Sequence, residues 1–251
     1  MTNGNIVLKP GERIDRLGYQ GLQIIQNPAV FKFTLDAFLL TGFIRPKPSE
    51  TIVDLGTGSG VLPLLLAGQN RVSRVTGVEI QPELADMARR SVRLNRLENQ
   101  ITIIQGDLRE IHRQLPVNGF HWVVTNPPYY PAGAGVVSEN PALAMAKFEV
   151  ACTLQDWVRA ASRLVKGNGR VAAIYPTERL AELITVMIQH HLTPKRLCFV
   201  YSYPDAGSNL VLLEARPGGK PGLQVLPPLT IYTQPGQYSE RMNQIFAGKK
   251  I

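Results

Sequence analysis

Asn126-Pro127-Pro128-Tyr129 is the stretch of this chain best suited to chemistry on a flat nitrogen compound. An amine conjugated to a ring is a poor nucleophile, because its lone pair is delocalised. A site that uses such an amine must hold both N–H groups and favour a pyramidal nitrogen. The Asn126 side-chain carbonyl can accept one N–H, and the backbone carbonyl of Pro127 can accept the other. Pro127 and Pro128 fix the backbone angles and remove donors that would compete. Tyr129 offers a flat face to a planar substrate. Acceptors held in place in this way act electrostatically, with no covalent step. The plainer reading of these four residues is a rigid Pro-Pro turn beside a packed tyrosine. Their place behind a strand, in a chain with a second constellation, weighs against it.

That second constellation is three acids at three successive strand ends. Asp54 opens the loop DLGTGSG, in which Gly56, Gly58 and Gly60 allow a tight turn and close approach of a ligand to the backbone. A glycine-rich turn alone is weak evidence, since dinucleotide sites use a related one. A pyrophosphate gains from the field of a helix N-terminus, but Asp54 would repel it. A cationic sulfonium with an α-amino group would be attracted instead. Glu79 ends the next strand, where a carboxylate can accept from both ribose hydroxyls. Asp107 follows the third strand in Gly106-Asp107-Leu108, where its carboxylate can accept from an adenine amine and Leu108 falls in the same site. Taken singly, Asp107 reads equally well as a helix N-cap and Glu79 as a surface acid. The ordered set is hard to obtain by chance.

The elements that must position these residues begin at Thr51. Strands are expected at 51–55, 74–79, 101–105, 120–125, 170–175, 196–201 and 210–215. Helices are expected after the glycine loop and at 82–95, 154–165 and 178–190. Strand–helix alternation implies a parallel sheet with right-handed crossovers. The last two strands have no helix between them and should pair antiparallel. The expectation is an α/β, Rossmann-like, doubly wound and mostly parallel seven-stranded sheet with an antiparallel late strand. Its ligand should lie at the carboxyl ends of the strands. Residues 1–48 read as an N-terminal cap segment and 49–251 as the main domain. Residues 216–222, RPGGKPG, are the nearest thing to a linker.

Composition narrows the partner. The chain has 251 residues and a net charge of +8, which favours a polyanion such as RNA, DNA or an acidic membrane over a merely basic soluble enzyme. Cys152 and Cys198 stand far apart and near no histidine cluster, so no metal site or disulfide is expected. No apolar leader or membrane-length run is visible, and a cytoplasmic protein is expected. Arg13, Arg16, Lys32, Lys249, Lys250 and the row Arg89, Arg90, Arg93, Arg96 are compatible with RNA, although the row also suits a solvated helix face.

The segments VDLGTGSG, GVEIQPELADMARRSVRLN and ITIIQGDL resemble the class I S-adenosylmethionine-dependent methyltransferases over roughly residues 51–215. The resemblance implies the Rossmann-like sheet and S-adenosylmethionine as cofactor. Residues 126–129 are similar to the Asn-Pro-Pro-Tyr motif of amino-methyltransferases, which act on adenine N6, cytosine N4, guanine N2 in variants, or glutamine amides. The opening GLQIIQNPAVFKFTLDAFLL, the middle NPPYYPAG with AMAKFEVACTLQDWVRAASRLVKGNGR, and the tail LQVLPPLTIYTQPGQYSERM resemble the tRNA(Val) adenine-37 N6-methyltransferase family over nearly the whole chain. That resemblance implies methylation of the adenine beside the anticodon, so that a tRNA anticodon loop is the expected partner and no obligatory protein partner is evident. It also implies that Phe31, Phe33 and Asp36 lie against the methionine part of the cofactor. The aromatics could equally be core residues. Two rivals are a protein glutamine N5-methyltransferase and, from another class, a non-catalytic RNA-binding module with the same fold. The first usually has a helical N-terminal domain that residues 1–50 do not resemble. The intact Asn126–Tyr129 motif and the Asp54/Glu79 pair argue against the second.

Overall fold

The computed structural model describes residues 6–29, 34–68, 72–129 and 152–250. Phe31, Lys32, Phe33, Glu149 and the loop 132–147 lie outside the described residues. Among those described are thirteen strands and six α-helices. β1 (Arg13–Arg16) and β2 (Gln23–Gln26) form an antiparallel hairpin, and α1 (Asp36–Phe43) follows. The core then runs β3 (Thr51–Leu55), α2 (Val61–Gly68), β4 (Arg74–Glu79), α3 (Pro82–Leu94), β5 (Ile101–Gln105), β6 (Phe120–Thr125), α4 (Leu154–Leu164), β7 (Val165–Pro176), α5 (Leu180–Gln189), β8 (Leu192–Tyr201) and β9 (Ser208–Pro217). Two short strands, β10 (Gln224–Val225) and β11 (Leu229–Thr230), a hairpin of β12 (Tyr232–Gln234) and β13 (Gln237–Tyr238), and α6 (Glu240–Phe246) complete it.

The main sheet has the order β10-β8-β9-β7-β6-β3-β4-β5. β3 to β7 are mutually parallel, while β9 is antiparallel to both β7 and β8. The doubly wound sheet with its antiparallel late strand is therefore as expected. The seven long strands carry an addition, because β10 and β11 both pair parallel with β8 and make the sheet nine-stranded. These two-residue strands are too short to leave a periodic signal. Pro194 in β8 lacks an N–H, and it lies where β9 pairs but neither short strand does. The presumed linker begins later than expected, since β9 carries Arg216 and Pro217. The bounds of β7 also differ. Residues 167–169, Gly-Asn-Gly, look like a turn but form an irregularity in register between Phe120 and Trp122 of the neighbouring strand.

Chain order reverses between β3 and β6, and such a switch point opens a crevice at the strands' carboxyl ends. Sequence chemistry explains the walls. β3 and β6 are almost wholly buried, as strands covered on both faces must be. α2, VLPLLLAG, is apolar all round and buried from Val61 to Ala67. α3 starts with Pro82 in its first turn, where a missing N–H costs nothing. α4 starts with a capping box in which Thr153 Oγ1 accepts from Asp156 N and the Asp156 carboxylate accepts from Thr153 N. Asp156 thus closes a helix end and pairs with Arg159.

The N-terminal hairpin is clamped to α3. Ile25 N donates to Ser91 Oγ, Gln23 N donates to Asn95 Oδ1, and Asn95 Nδ2 donates back to Gln23 O. Arg90 turns inward to a bidentate ion pair with Glu12 and a further contact with Asp86. Arg89 Nε donates to the Ile103 carbonyl. The arginine row of α3 is therefore in part a structural fastening. α1 packs into the same apolar cluster as α2, and its Gly42 lies so close to α6 that a Cβ would stand 3.0 Å from Ile245.

Candidate active site

One cavity of about 1100 Å³ opens at the carboxyl ends of β3, β4, β5 and β6. Asp54, Gly56, Gly58, Glu79, Asp107 and Leu108 line it on one side, and Asn126, Pro127, Pro128 and Tyr129 on the other. Asp36 reaches it from the start of α1. Two constellations that are separate in sequence, one spread from Asp54 to Asp107 and the other at Asn126–Tyr129, thus share a single space. Gly60 stands behind the wall, where its φ of +88° suits glycine and a Cβ would come within 3.1 Å of Ala88.

The glycine loop is shaped by the strand beside it. Gly56 N and Thr57 N both donate to Val78 O at 2.9 Å, and Gly60 N donates to Thr57 O. Gly56 has φ +75° and nothing within 4 Å of its Cβ position, so the backbone lies open to a ligand. Gly77 of β4 leaves room for Thr57, since a Cβ there would stand 2.8 Å from Thr57 Oγ1. Gly77 is a site-forming residue that its strand pattern conceals.

Glu79 is held by the loop it serves. Its Oε2 accepts from Gly58 N at 2.8 Å and its Oε1 from Gln81 N at 2.9 Å. Burial nonetheless pushes its carboxyl above the ordinary value. Asp54 is fully buried, and burial, with Glu79 nearby, raises it from 3.8 to about 7. Two buried acids facing one cavity make it receptive to positive charge. Asp107 differs, because the Arg109 guanidinium grips its carboxylate and holds it below the usual range. Each carboxylate oxygen still has lone-pair capacity for a ligand.

The motif after β6 is anchored at both ends. Thr125 Oγ1 donates to Leu55 O at 2.7 Å, tying the two strand ends together. At the other end Tyr129 O accepts from Arg179 Nη1 at 2.6 Å, and Arg179 is paired with Glu182. The Tyr129 ring meets Tyr175 edge-on at 6.1 Å. Its hydroxyl lies 2.7 Å from Asp36 Oδ2 and 2.6 Å from Asn126 Oδ1.

One polar atom suggests what the cavity takes. Trp157 Nε1 is buried on a residue that lines it and has no partner among the described residues, whereas the Thr57 hydroxyl lies beside the Asp54 carboxylate. Buried polar atoms are rarely left without a partner, and a polar ligand would satisfy this one. With an open glycine backbone and buried carboxylates, this donor set fits a nucleoside bearing a positive charge. Thr57, Cys152, Trp157, Ile231 and Tyr238 were not singled out by spacing. The last two come from the C-terminal segment, whose local sequence holds no sign of where it folds. No group of histidine, cysteine, aspartate or glutamate residues suited to a metal occurs among the described residues. No described helix is long and apolar enough to cross a membrane.

Residues 44–129 match the family model of the TRM5/TYW2 methyltransferase domain. The chain is similar to the tRNA1(Val) (adenine(37)-N6)-methyltransferase of Porphyromonas gingivalis, at 28% identity over 209 residues, 81% of each chain. The protein of the same name from Aeromonas hydrophila is 26% identical over 230 residues, 90% of this chain and 93% of its own. Among solved structures, a predicted O-methyltransferase from Agrobacterium tumefaciens has a TM-score of 0.69 at 23% identity, covering 86% of this chain and 97% of that one. Methanocaldococcus jannaschii Trm5 in complex with adenosine has a TM-score of 0.60 at 16% identity, covering 85% of this chain and 58% of that one. The structural likenesses establish the Rossmann-like fold. The relatives in sequence bear out the resemblance read from the motifs.

Proposed function

We propose that this chain transfers a methyl group from S-adenosylmethionine to the N6 amine of an adenine in RNA, and that the adenine is position 37 of a valine tRNA. The observation that carries the reading is the single cavity shared by the glycine loop with its acids and by Asn126–Tyr129. The relatives from Porphyromonas gingivalis and Aeromonas hydrophila, whose names state this reaction, support the choice of substrate. S-adenosylmethionine supplies an electrophilic methyl on a sulfonium. Glu79 would accept from the ribose hydroxyls, Asp107 would accept from the cofactor's adenine amine with Leu108 beside it, and Asp54 would face the positive end. On the family's pattern Phe33 and Asp36 would serve the methionine side.

Asn126 Oδ1 and the Pro127 carbonyl accept the two N–H groups of the target amine and keep its lone pair aimed at the methyl. Acceptors held in place before the reaction begins cost no reorganisation at the transition state. The methylated nitrogen is acidic enough to lose its proton to solvent, so no general base is required. Reaching a base in a single-stranded anticodon loop costs less than extracting one from a duplex, and the net charge of +8 suits a polyanion. A tRNA substrate supports a cytoplasmic location.

The test is transfer of labelled methyl from S-adenosylmethionine to bulk unmodified tRNA, followed by nucleoside analysis. Label in N6-methyladenosine of a valine tRNA is expected. Bound cofactor with no label in RNA would overturn the reading and bring forward glutamine amides as acceptors.

A further inference from the structure

A phenol has one proton to donate, yet Tyr129 Oη lies within hydrogen-bond distance of two acceptors, Asp36 Oδ2 and Asn126 Oδ1. An ionised carboxylate can only accept, and it is the stronger acceptor of the two. When Asp36 takes the proton, Tyr129 Oη turns a lone pair toward Asn126. The Asn126 amide, 2.6 Å away, can meet that lone pair with its Nδ2. The oxygen and nitrogen of an amide are nearly the same size, so turning the group over disturbs no packing. The amide then presents Oδ1 away from Tyr129.

We propose that Asp36 is a positioning residue: acting through the Tyr129 hydroxyl, it fixes the Asn126 amide with Oδ1 toward the acceptor, and so makes the site select an N–H donor. The inference rests on the reading of an amine acceptor given above. The opposite orientation, with Tyr129 donating to Oδ1, leaves Nδ2 facing the substrate. That arrangement opposes an amine and welcomes a ring carbonyl. Asp36 begins α1, 93 residues before Tyr129 in the chain. Tyr129 cannot follow a wandering partner, because Arg179 Nη1 holds its carbonyl and the Tyr175 ring abuts its own. The specificity of the pocket is therefore set from outside the Asn-Pro-Pro-Tyr motif.

The experiment compares a stem-loop RNA carrying adenosine at the target position with the same RNA carrying inosine, which has a ring carbonyl in place of the amine. Binding of each is measured with S-adenosylhomocysteine present, for the full chain and for Asp36→Ala, Asp36→Asn and Tyr129→Phe. The wild type is expected to prefer adenosine. With S-adenosylhomocysteine saturating for each variant, Asp36→Ala and Tyr129→Phe should each lower the adenosine-to-inosine ratio by about tenfold or more and lower turnover. Asp36→Asn, whose neutral amide accepts no more strongly than that of Asn126 and can also donate, should show a ratio between those of the wild type and Asp36→Ala. Tyr129→Phe removes only a hydroxyl and serves if Asp36→Ala does not fold. Equal losses for the two RNAs in both variants would make the contact merely structural and overturn the proposal. A wild type that binds S-adenosylhomocysteine but neither methylates adenosine nor prefers it would instead overturn the reading of an amine acceptor, and the proposal with it.

Discussion

Thr125 faces Leu55 across the β3/β6 pair, and its hydroxyl donates to the Leu55 carbonyl at 2.7 Å. The next residues on the two strands are Asn126 and Gly56. One hydrogen bond therefore sets the spacing between the motif that holds the acceptor and the loop that holds the cofactor. Thr125→Val keeps the shape and removes the donor. Stability to urea should fall by about 1 kcal/mol, and turnover should fall with it. Unchanged values would mean that the backbone ladder alone holds the two ends.

Asn126→Ala removes one of two acceptors aimed at the target amine. Turnover should fall by roughly 10²–10³, while cofactor affinity, measured by calorimetry, stays within a few-fold. Loss of cofactor binding would assign Asn126 to the cofactor side of the cavity.

Glu79→Ala removes the carboxylate that Gly58 N and Gln81 N donate to. Cofactor affinity should drop sharply. Stability should also fall by roughly 1–3 kcal/mol, because two N–H groups lose their partner. An unchanged cofactor affinity would end the ribose assignment.

Asp54 makes both stability and binding depend on pH. Burial raises its folded value to about 7 from 3.8. Between those values the folded chain keeps a proton that the unfolded chain has released. The contribution of Asp54 to stability is accordingly most favourable near pH 4, declines as pH rises toward 7 and is level above it, a change of roughly 3–5 kcal/mol. A cationic group bound beside Asp54 requires the ionised form. Cofactor affinity should therefore weaken as pH falls below about 7, with up to about one proton released per molecule bound. Calorimetry in buffers of different ionisation enthalpy reads that proton directly. An affinity independent of pH across this window would show that Asp54 does not meet the cation.

Arg90 and Glu12 are 8% and 4% exposed in their side chains and pair bidentately. Arg90→Met should destabilise the fold by roughly 3–5 kcal/mol, because it leaves a buried carboxylate unpaired. Replacing Glu12 by Gln in the same chain should recover part of the loss. RNA affinity of the variant that remains folded should match the wild type, as Arg90 has no exposed charge to offer. A large loss of RNA binding without loss of stability would return Arg90 to the RNA-facing surface.

Much of this architecture is legible along the chain. β3, β4, β5 and β6 have the bounds expected from their apolar runs: β3, β4 and β6 are almost wholly buried and so nearly apolar throughout, while β5, at the sheet edge, alternates, and turn residues bound each of them. The glycine loop and the acids at three strand ends can be found for the same reason, as their backbone geometry and chemistry are local. Handed crossovers then bring them together. The tertiary structure alone decided which residues from distant segments complete the site. Asp36 meets Tyr129, Arg90 turns inward to Glu12, and Tyr238 and Ile231 fold back onto the cavity. Periodicity records whether a side chain faces inward, not which partner waits there. That choice depends on how α1, the hairpin and the C-terminal segment pack against the sheet. The same packing gives a single phenolic proton two competing acceptors.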